Sequence, residues 1–363
     1  MRVAHFCRFS PDKSGQYSTV RDIIKGECDI GIDAGMIATL EEPPMFFYDD
    51  KPLTDGTLTT KNRMWAKDAD VFVRHTTIPP LFASLSKPSV MCLHGRPENS
   101  FMLGHLGKMP VYYIIAKAAQ EKEHNAFVTF WDEYKFHWEL LIDNQIVYSI
   151  PSPVDLNRYS PDGDKFYWGD KSGSPNIVIA DMWREDTTPY NAIHAAAYYI
   201  RNMNKDARLH IFGFPPPKVQ STAMLGGLMQ HKNIMGHICE TMPNIEVAYR
   251  AADMVITPHR IATRIVREAL ACNTPVIAGG CKFATYNADP RNPKAFAEEI
   301  AKCWGDIQAA KRDRGKPKMT YRAIAEASFN PKKTAEGLLA VFKKVLNDRA
   351  GELEEQAEKL RAM

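Results

Sequence analysis

Short runs of apolar residues recur along the whole chain, and segments with helical spacing separate most of them. The runs cover residues 3–7, 70–73, 90–93, 127–130 and 146–150 in the first half, and residues 177–180, 209–212, 254–256 and 276–278 in the second. Strands that are buried on both faces give such runs, and their alternation with helices is typical of parallel sheets. The sequence therefore predicts an α/β protein.

One break in this pattern divides the chain into two parts. Residues 151–172 are rich in Pro, Asp, Gly, Lys and Ser, a composition typical of an interdomain linker. A length of 363 residues also suits two domains. We therefore expect an N-terminal domain over residues 1–150 and a C-terminal domain over residues 173–328. Apolar residues at helical spacing predict a further helix over residues 329–347, and residues 348–363 are predicted as a polar tail.

The charge and the cysteine content narrow the class of protein. Lys and Arg number 46 against 43 Asp and Glu, so the net charge is only +3 and does not require a polyanionic partner. The seven cysteines lie far apart without zinc-ligand spacing, which predicts reduced thiols in the cytoplasm. No run approaches the roughly 18 apolar residues of a membrane span, and the G-x-G-x-x-G motif of dinucleotide oxidoreductases is absent.

Four stretches resemble motifs of one enzyme family. Residues 151–161 read PSPVDLNRYSP and residues 209–213 read LHIFG. Residues 252–259 read ADMVITPH, and residues 267–279 read REALACNTPVIAG. These stretches are similar to the linker, strand and donor-site motifs of the retaining GT-B glycosyltransferases, the family 4-like group also called glycosyl transferases group 1. The resemblance spans about residues 3–346 and is strongest in the second half.

The resemblance implies a GT-B fold, in which two Rossmann-like domains face each other across a cleft. It implies a nucleotide-sugar donor, with a UDP-sugar expected, on the C-terminal domain and the acceptor mainly on the N-terminal domain. The sugar would pass to a hydroxyl group with retention of configuration, without a metal or other cofactor. The helix over residues 329–347 would cross back to the N-terminal domain. A glycan, a metabolite, a protein or a hydroxylated base in DNA all remain open as the acceptor.

Glu268 is the donor-site residue that the resemblance indicates most directly. It matches the family's glutamate that binds the ribose hydroxyls, and a carboxylate suits this role because it accepts two hydrogen bonds from a vicinal diol. The other interpretation of the same helix is a solvated ion pair between Arg264 and Glu268, four residues apart. The family's second glutamate is missing, since Arg260 stands near its place.

The cations that usually bind the donor diphosphate are also missing from their places. Asp181 and Thr187 stand there, after the strand over residues 177–180. Phosphate requires cations or the free N–H groups of a helix N-terminus. The residues that we expect to take over this role are Arg184, Arg260, Arg264 and Thr263, the last at a helix start. The other interpretation is that the arginines are solvated surface residues.

Two residues of the N-terminal half match positions that the family places against the donor. Gly15 follows the first strand in a loop of small residues and would let the backbone approach the sugar or phosphate. His94 follows the strand over residues 90–93, where the family often has a histidine near the anomeric carbon, suited to hydrogen bonding or proton transfer. His75 is a second candidate of this kind. An ordinary turn at Gly15 and structural roles for the histidines remain open.

Two residues of the C-terminal half match the family's nucleotide-binding part. Gly213 resembles the glycine that lets a loop approach the nucleotide. Ile238 resembles a wall of the base pocket, although a buried strand residue would have the same sequence pattern. The basic residues within 311–318 would suit an acidic acceptor such as nucleic acid or anionic lipid, or would form a solvated loop.

The function predicted from these observations is glycosyl transfer, and two other functions stay open. A nucleotide-binding or carbohydrate-binding protein on a GT-B scaffold that has lost catalysis would explain the missing phosphate cations. It would bind nucleotide without turnover. A nucleotide-sugar epimerase or hydrolase of the same fold would need no acceptor.

Overall fold

A computed structural model of the chain describes residues 1–7, 15–38, 45–48, 51–57, 65–75, 87–95, 97, 105–106, 109–110, 115–116, 119, 125–142, 145–169, 173–181, 190–213, 230–236, 242–312 and 320–362. The chain divides into two units, one formed by Met1–Pro153 with Phe329–Met363 and the other by Val154–Ser328. Each unit has its own large sheet and its own apolar core.

The sheet of the first unit is parallel over most of its width. Its strands and a separate short pair are β1 (Arg2–Cys7), β2 (Asp33–Ala38), β3 (Met45–Tyr48), β4 (Lys51–Thr57), β5 (Val71–His75), β6 (Ser89–Leu93), β7 (His105–Leu106), β8 (Met109–Pro110), β9 (Ala126–Thr129) and β10 (Val147–Ser149). The order is β10, β9, β6, β5, β1, β2, β3, β4, while β7 pairs with β8. Neighbours from β10 to β2 run parallel, and β3 and β4 add an antiparallel edge.

The second unit has a sheet that is parallel throughout the part that the structure describes. Its strands are β11 (Asn176–Ile179), β12 (Arg208–Ile211), β13 (Ile234–Gly236), β14 (Met254–Ile256), β15 (Val276–Ala278) and β16 (Tyr286–Asn287). They lie in the order β13, β12, β11, β14, β15, β16. All nine predicted apolar runs overlap strands of the two sheets, so the predicted α/β class is confirmed.

The helices connect the strands and cover the sheets. Those within the described residues are α1 (Gly15–Asp29), α2 (Lys135–Leu141), α3 (Tyr190–Asn202), α4 (Glu246–Ala251), α5 (Arg264–Ala271), α6 (Pro293–Arg312), α7 (Arg322–Ser328) and α8 (Pro331–Ala362). A single 3-10 turn, Asp132–Tyr134, precedes α2. In the second unit, Ile193 of α3 and Phe296 of α6 are fully buried in the core with Ile177 of β11. Burial of such apolar stripes is what holds helices of ordinary propensity on a sheet.

The last helix belongs to the first unit. Leu338 and Phe342 of α8 are buried in the same core as Ile23 of α1 and Val3 of β1. Helix α8 continues to Ala362, so residues 348–362 of the range predicted as a tail are the exposed end of this helix.

Residues 154–168 pack on the second unit, although the sequence predicts a linker there. Val154 and Tyr159 are buried. The Arg250 guanidinium donates hydrogen bonds of 2.7, 2.9 and 3.1 Å to backbone carbonyls within residues 158–164. The Trp168 indole donates to a carbonyl of α4 at 2.8 Å. This polar segment is ordered because Arg250 of α4 satisfies three of its carbonyl groups and its own Trp168 indole donates to a carbonyl at the end of the same helix.

Candidate functional site

The carboxyl ends of β11, β12, β14 and β15 meet at one edge of the second sheet. Asp181, Gly213, Thr257 and Gly279 follow these four strands. Gly213 has a φ of +71°, and a Cβ atom there would lie 3.1 Å from the carbonyl oxygen of Asp181. Open parallel sheets bind their ligands at this edge. The predicted donor-site glycine therefore stands where the fold places ligand contacts.

A buried polar cluster lies at the same edge. The Thr257 hydroxyl donates to Asp181 Oδ2 at 2.8 Å, and His259 Nε2 lies 3.2 Å from Asp181 Oδ1. The side chain of Asp181 is 5% exposed and that of His259 is 13% exposed. The sequence presents Asp181 as a negative charge at a place where the family has cations. In the structure, both oxygens of its carboxylate have partners.

The loop between β14 and α5 is held close to the end of β15. The backbone N–H of Gly279 donates to the carbonyl of His259 at 3.0 Å. A Cβ atom on Gly279 would overlap the carbonyl oxygen of Pro258 and lie 2.9 Å from its carbonyl carbon. Only glycine fits this approach, so the backbone of residues 258–260 is fixed against the strand edge.

Helix α5 begins at this edge without a side-chain cap. Thr263 is its N-cap residue and makes no capping hydrogen bond, and its Oγ1 atom is buried without a partner among the described residues. The first N–H groups of a helix have no acceptor within the helix. The start of α5 therefore presents several hydrogen-bond donors and a partial positive charge.

Glu268 and Arg264 form the ion pair that the helix spacing indicates, but the pair is not solvated. Arg264 Nε and Nη2 lie 2.7 and 2.6 Å from Glu268 Oε1, and their side chains are only 16% and 7% exposed. The Arg264 guanidinium also lies over the Tyr159 ring, 6.0 Å from its centroid. Among the described residues, only Arg264 hydrogen-bonds the Glu268 carboxylate, and it does so at Oε1. Oε2 remains as an acceptor for a ligand hydroxyl.

Arg260 is an exposed cation in the loop that precedes α5. Its side chain lies beside Gly280, and its charge contributes to lowering the pKa of Asp289 to about 2, after the larger effect of the Arg291 hydrogen bonds. Arg184 and Ile238, the two other predicted donor-site residues of this unit, lie outside the described residues.

In the first unit, His94 stands at the end of a line of hydrogen-bonded side chains. His94 Nε2 lies 2.8 Å from His75 Nδ1, and His75 Nε2 lies 2.9 Å from His5 Nδ1. His5 Nε2 lies 2.7 Å from Glu27 Oε2. Glu27, His5 and His75 are completely buried, and His94 is half-buried with its ring 4.9 Å from that of Phe130.

Gly15 is the first residue of α1, and its carbonyl accepts a hydrogen bond from Thr19 at 2.9 Å. The side chain of the next residue, Gln16, donates to the carbonyl of His75 at 2.9 Å. The start of α1 therefore adjoins the end of β5, next to the line of histidines. The structure brings Gly15, His75 and His94 to the same edge of the first sheet.

No motif in the sequence predicted a role for His5, Glu27, Thr257 or His259. Two signals would have found the first two. His5 is a polar residue inside an apolar strand, and Glu27 continues the buried stripe of Val20, Ile23 and Ile24 at helical spacing. A buried polar side chain requires a hydrogen-bond partner, so the burial of His5 and Glu27 predicts that they pair with each other.

Neither a metal site nor a membrane span is found in the part of the chain that the structure describes. No three or more His, Cys, Asp or Glu side chains there are grouped so as to bind a metal ion. The nitrogens of the three histidines pair with one another in a line. None of the described helices combines the length and the apolar character that crossing a membrane requires.

Comparisons with known proteins give a match to one family model and a shared fold. Residues 177–306 match the family model described as glycosyl transferases group 1. No curated protein matches the chain. Several solved structures share the fold along almost the whole chain.

Three of these structures are as follows. HepE from Anabaena, solved with UDP and glucose, is 15% identical, with a TM-score of 0.63 over 94% of this chain and 99% of that one. Sucrose-phosphate synthase from Thermosynechococcus elongatus is 13% identical, with a TM-score of 0.66 over 96% and 99%. The catalytic domain of starch synthase IV from Arabidopsis thaliana, bound to ADP and acarbose, is 12% identical, with a TM-score of 0.63 over 95% and 99%. The predicted two-domain GT-B fold is thereby confirmed, and the family match supports a glycosyltransferase.

Proposed function

We propose that this protein transfers a sugar from a nucleotide-diphosphate sugar to a hydroxyl acceptor, with the donor bound at the carboxyl edge of the second sheet. The observation that carries the proposal is the buried Glu268, whose carboxylate keeps one oxygen for a ligand while Arg264 fixes the other. Of the solved structures that share the fold, HepE contains UDP and glucose, and the starch synthase IV domain contains ADP and acarbose. A UDP-sugar is the donor that we test first.

In this proposal, Glu268 binds the ribose of the donor. Arg264 Nε donates a hydrogen bond to Oε1, and Nη2 forms an ion pair with the same oxygen, which anchors this side of the carboxylate, while Oε2 accepts a hydrogen bond from a ribose hydroxyl. The Arg264 charge is already balanced by Glu268, so Arg264 acts mainly as a positioning residue for this carboxylate.

The diphosphate binds at the start of α5 in this proposal. The uncapped N–H groups of the first turn, the Thr263 hydroxyl and the exposed Arg260 supply donors and positive charge. Because Gly213 and Gly279 have no side chains, the backbone at this edge stays accessible to the diphosphate. Catalysis then consists of positioning and of electrostatic stabilisation of the leaving diphosphate, with no metal.

The first unit supplies the acceptor side of the reaction. By analogy with the family positions that they match, His94 and Gly15 are the residues of this unit that we assign to substrate binding. Retention of configuration and a reducing, cytoplasmic location belong to the same proposal. The described cysteines are all thiols, which suits such a location. The acceptor itself is a hydroxyl compound, with hydroxylated DNA bases among those to be screened.

Nucleotide affinity tests the donor site. Isothermal titration of the wild type with UDP, GDP and ADP identifies the nucleotide, and Glu268→Gln should then weaken its affinity by about 10- to 150-fold. This range follows from about 1.5–3 kcal/mol for a hydrogen bond to a charged group. Glu246→Gln is the matched control, because it also removes the carboxylate partner of a partly buried arginine, Arg158, 3.2 Å away. Equal affinities of Glu268→Gln and wild type would contradict the proposed ribose contact.

Product analysis separates the proposed activity from its alternatives. Incubation with the matching nucleotide sugar and a panel of acceptors should give a glycoside whose anomeric configuration, read by proton NMR, equals that of the donor. Binding without any turnover would favour a scaffold that has lost catalysis. Release of free sugar, or a change of the sugar itself without an acceptor, would favour a hydrolase or an epimerase.

A further inference from the structure

Leucine recurs at every seventh residue along most of helix α8. The positions are Leu339, Leu346, Leu353 and Leu360, and a seven-residue step keeps side chains on nearly the same face of a helix. Leu339 and Leu346 are half-buried and pack against the core of the first unit. Leu353 and Leu360 are 50% and 74% exposed. The helix face that the first unit covers up to Leu346 therefore continues beyond it as an exposed apolar face.

Two alanines complete this exposed face. Ala350 and Ala357 stand three residues before Leu353 and Leu360, which is the a and d spacing of a coiled coil. Together these four residues form the α8 stripe. The faces beside it carry ion pairs within the helix, three or four residues apart. Such pairs and helix propensity stabilise a short helical segment only weakly, so a partner packed on the α8 stripe is what would stabilise this end of the helix.

The charge of this helix end decides against a membrane surface as the partner. Residues 348–362 contain five acidic residues against three basic ones. Helices that lie on membranes are rich in Lys and Arg on their polar face, and anionic lipids attract these cations. The same lipids repel a polar face with an excess of carboxylates. A protein surface is therefore the partner that this helix end fits.

The α8 stripe is complementary to itself. When two such helices run antiparallel, Leu353 of one copy lies opposite Ala357 of the other, and Leu360 lies opposite Ala350. The two-fold axis repeats both pairs, so each of the four layers combines a large side chain with a small one, which fills the space between the helices. In a parallel pair, identical positions meet, so alanine would face alanine and leave gaps.

The first unit also determines the orientation of the partner. Up to Leu346, the core of this unit lies against the helix face that carries the leucines. A parallel partner helix on Leu353 and Leu360 would have to continue into this core, whereas an antiparallel partner ends before it. We propose that residues 347–362 pair with the same residues of a second copy in antiparallel orientation, and that the chain thereby forms a two-fold symmetric dimer.

Sedimentation velocity of the full chain tests the dimer. A helix pair of this length is small for a protein interface, so the wild type should be monomeric at about 1 μM and dimeric at about 100 μM. The double variant Leu353→Glu with Leu360→Glu should stay monomeric at both concentrations. Leu140→Glu is the matched control, because Leu140 is 56% exposed on α2 of the same unit, and this variant should associate like the wild type.

Either of two results would overturn the dimer. One is a wild type that stays monomeric throughout this range of concentration. The other is a dimer that the double variant leaves intact. Circular dichroism shows whether the double variant folds, and both substituted leucines are exposed, so we expect the same fold as in the wild type.

Cysteine cross-linking tests the orientation. The positions of Ala350→Cys and Leu360→Cys lie opposite each other only in the antiparallel pair. Each variant alone should form no disulfide-linked dimer under mild oxidation, whereas an equal mixture of the two should. The wild type gives the background from the natural cysteines, and those that the structure describes are buried or half-buried. Cross-linking of either variant alone would indicate parallel helices and overturn the antiparallel dimer, as would a mixture that does not cross-link.

Vesicle flotation tests the other class of partner. The wild type should not float with vesicles of phosphatidylserine and phosphatidylcholine. Flotation that is lost in Leu353→Glu with Leu360→Glu would assign the α8 stripe to a membrane surface and overturn the proposal. None of these measurements needs a substrate, so their outcome is independent of the proposed glycosyl transfer.

Discussion

The contact between α1 and α8 predicts that replacing a helical glycine by alanine lowers stability at one position and raises it at another. Gly26 of α1 faces the start of α8, and a Cβ atom there would overlap the carbonyl oxygen of Pro331 and lie 2.6 Å from its carbonyl carbon. Gly305 of α6 is exposed and has no atom within 4 Å of the corresponding position. Both glycines lie inside helices, so the two substitutions by alanine share the same propensity effect.

The magnitude follows from two opposing effects. Alanine is favoured over glycine inside a helix by about 1 kcal/mol. At Gly26, the overlap with a backbone carbonyl requires a shift of α8, and such overpacking costs about 1–3 kcal/mol or more. Because a backbone atom cannot turn aside as a side chain can, we expect Gly26→Ala to lose roughly 2 kcal/mol net. Gly305→Ala should gain about 0.5–1 kcal/mol.

Urea denaturation and thermal melting measure the effect. At roughly 2–4 °C per kcal/mol for a unit of this size, Gly26→Ala should melt about 4–8 °C below the wild type. Hydrogen exchange followed by mass spectrometry should show faster exchange in peptides of α1 and α8 and no change in α6. A Gly26→Ala protein as stable as Gly305→Ala would refute the close approach of the two helices.

Two further predictions concern the second unit. Arg322→Ala should lower the free energy of unfolding by roughly 2–4 kcal/mol, because the Arg322 guanidinium donates to three backbone carbonyls at 2.8–3.1 Å. The control is Arg349→Ala, which loses only an exposed ion pair. In the same urea assay, this control should change the free energy of unfolding by under about 0.5 kcal/mol. Hydrogen bonds from Arg291 are the main reason why the pKa of Asp289 is lowered to about 2. The ionised Asp289 carboxylate therefore stabilises the fold above the usual aspartate pKa, and this stabilisation is lost as the pH falls toward 2. Carboxyl ¹³C NMR should give a midpoint near 2 in the wild type and near 4 in Arg291→Ala.

The sequence predicts the parallel core of both units well. β14 and β15 have the predicted bounds, since three consecutive apolar residues between turn residues leave little choice of register. The antiparallel strand β4, with the sequence KPLTDGT, was not predicted because an edge strand needs no continuous apolar run. Residues 151–172 were predicted as a linker from their polar composition, but hydrogen bonds with helix α4, about 80–90 residues away along the chain, hold residues 158–168 on the second unit.

The candidate donor site is predicted in part. Helix spacing alone indicates the pair of Arg264 and Glu268, because residues four apart share a helix face. It does not indicate that the pair is buried, since burial depends on Tyr159 and on the sheet edge. The partners of Asp181 are also beyond sequence reasoning, because Thr257 lies 76 residues away along the chain.

By itself, the sequence determined the class of fold and the order of its strands along the chain, because local apolar runs and helical spacing are set by neighbouring residues. It also determined which polar residues end those strands. Only the tertiary structure decided which of these residues meet. Glu27, His5 and His75 are separated by 22 and 70 residues and come into line because β1 lies between α1 and β5. Which distant residues share a hydrogen bond is a property of the packed sheet, and no local pattern encodes it.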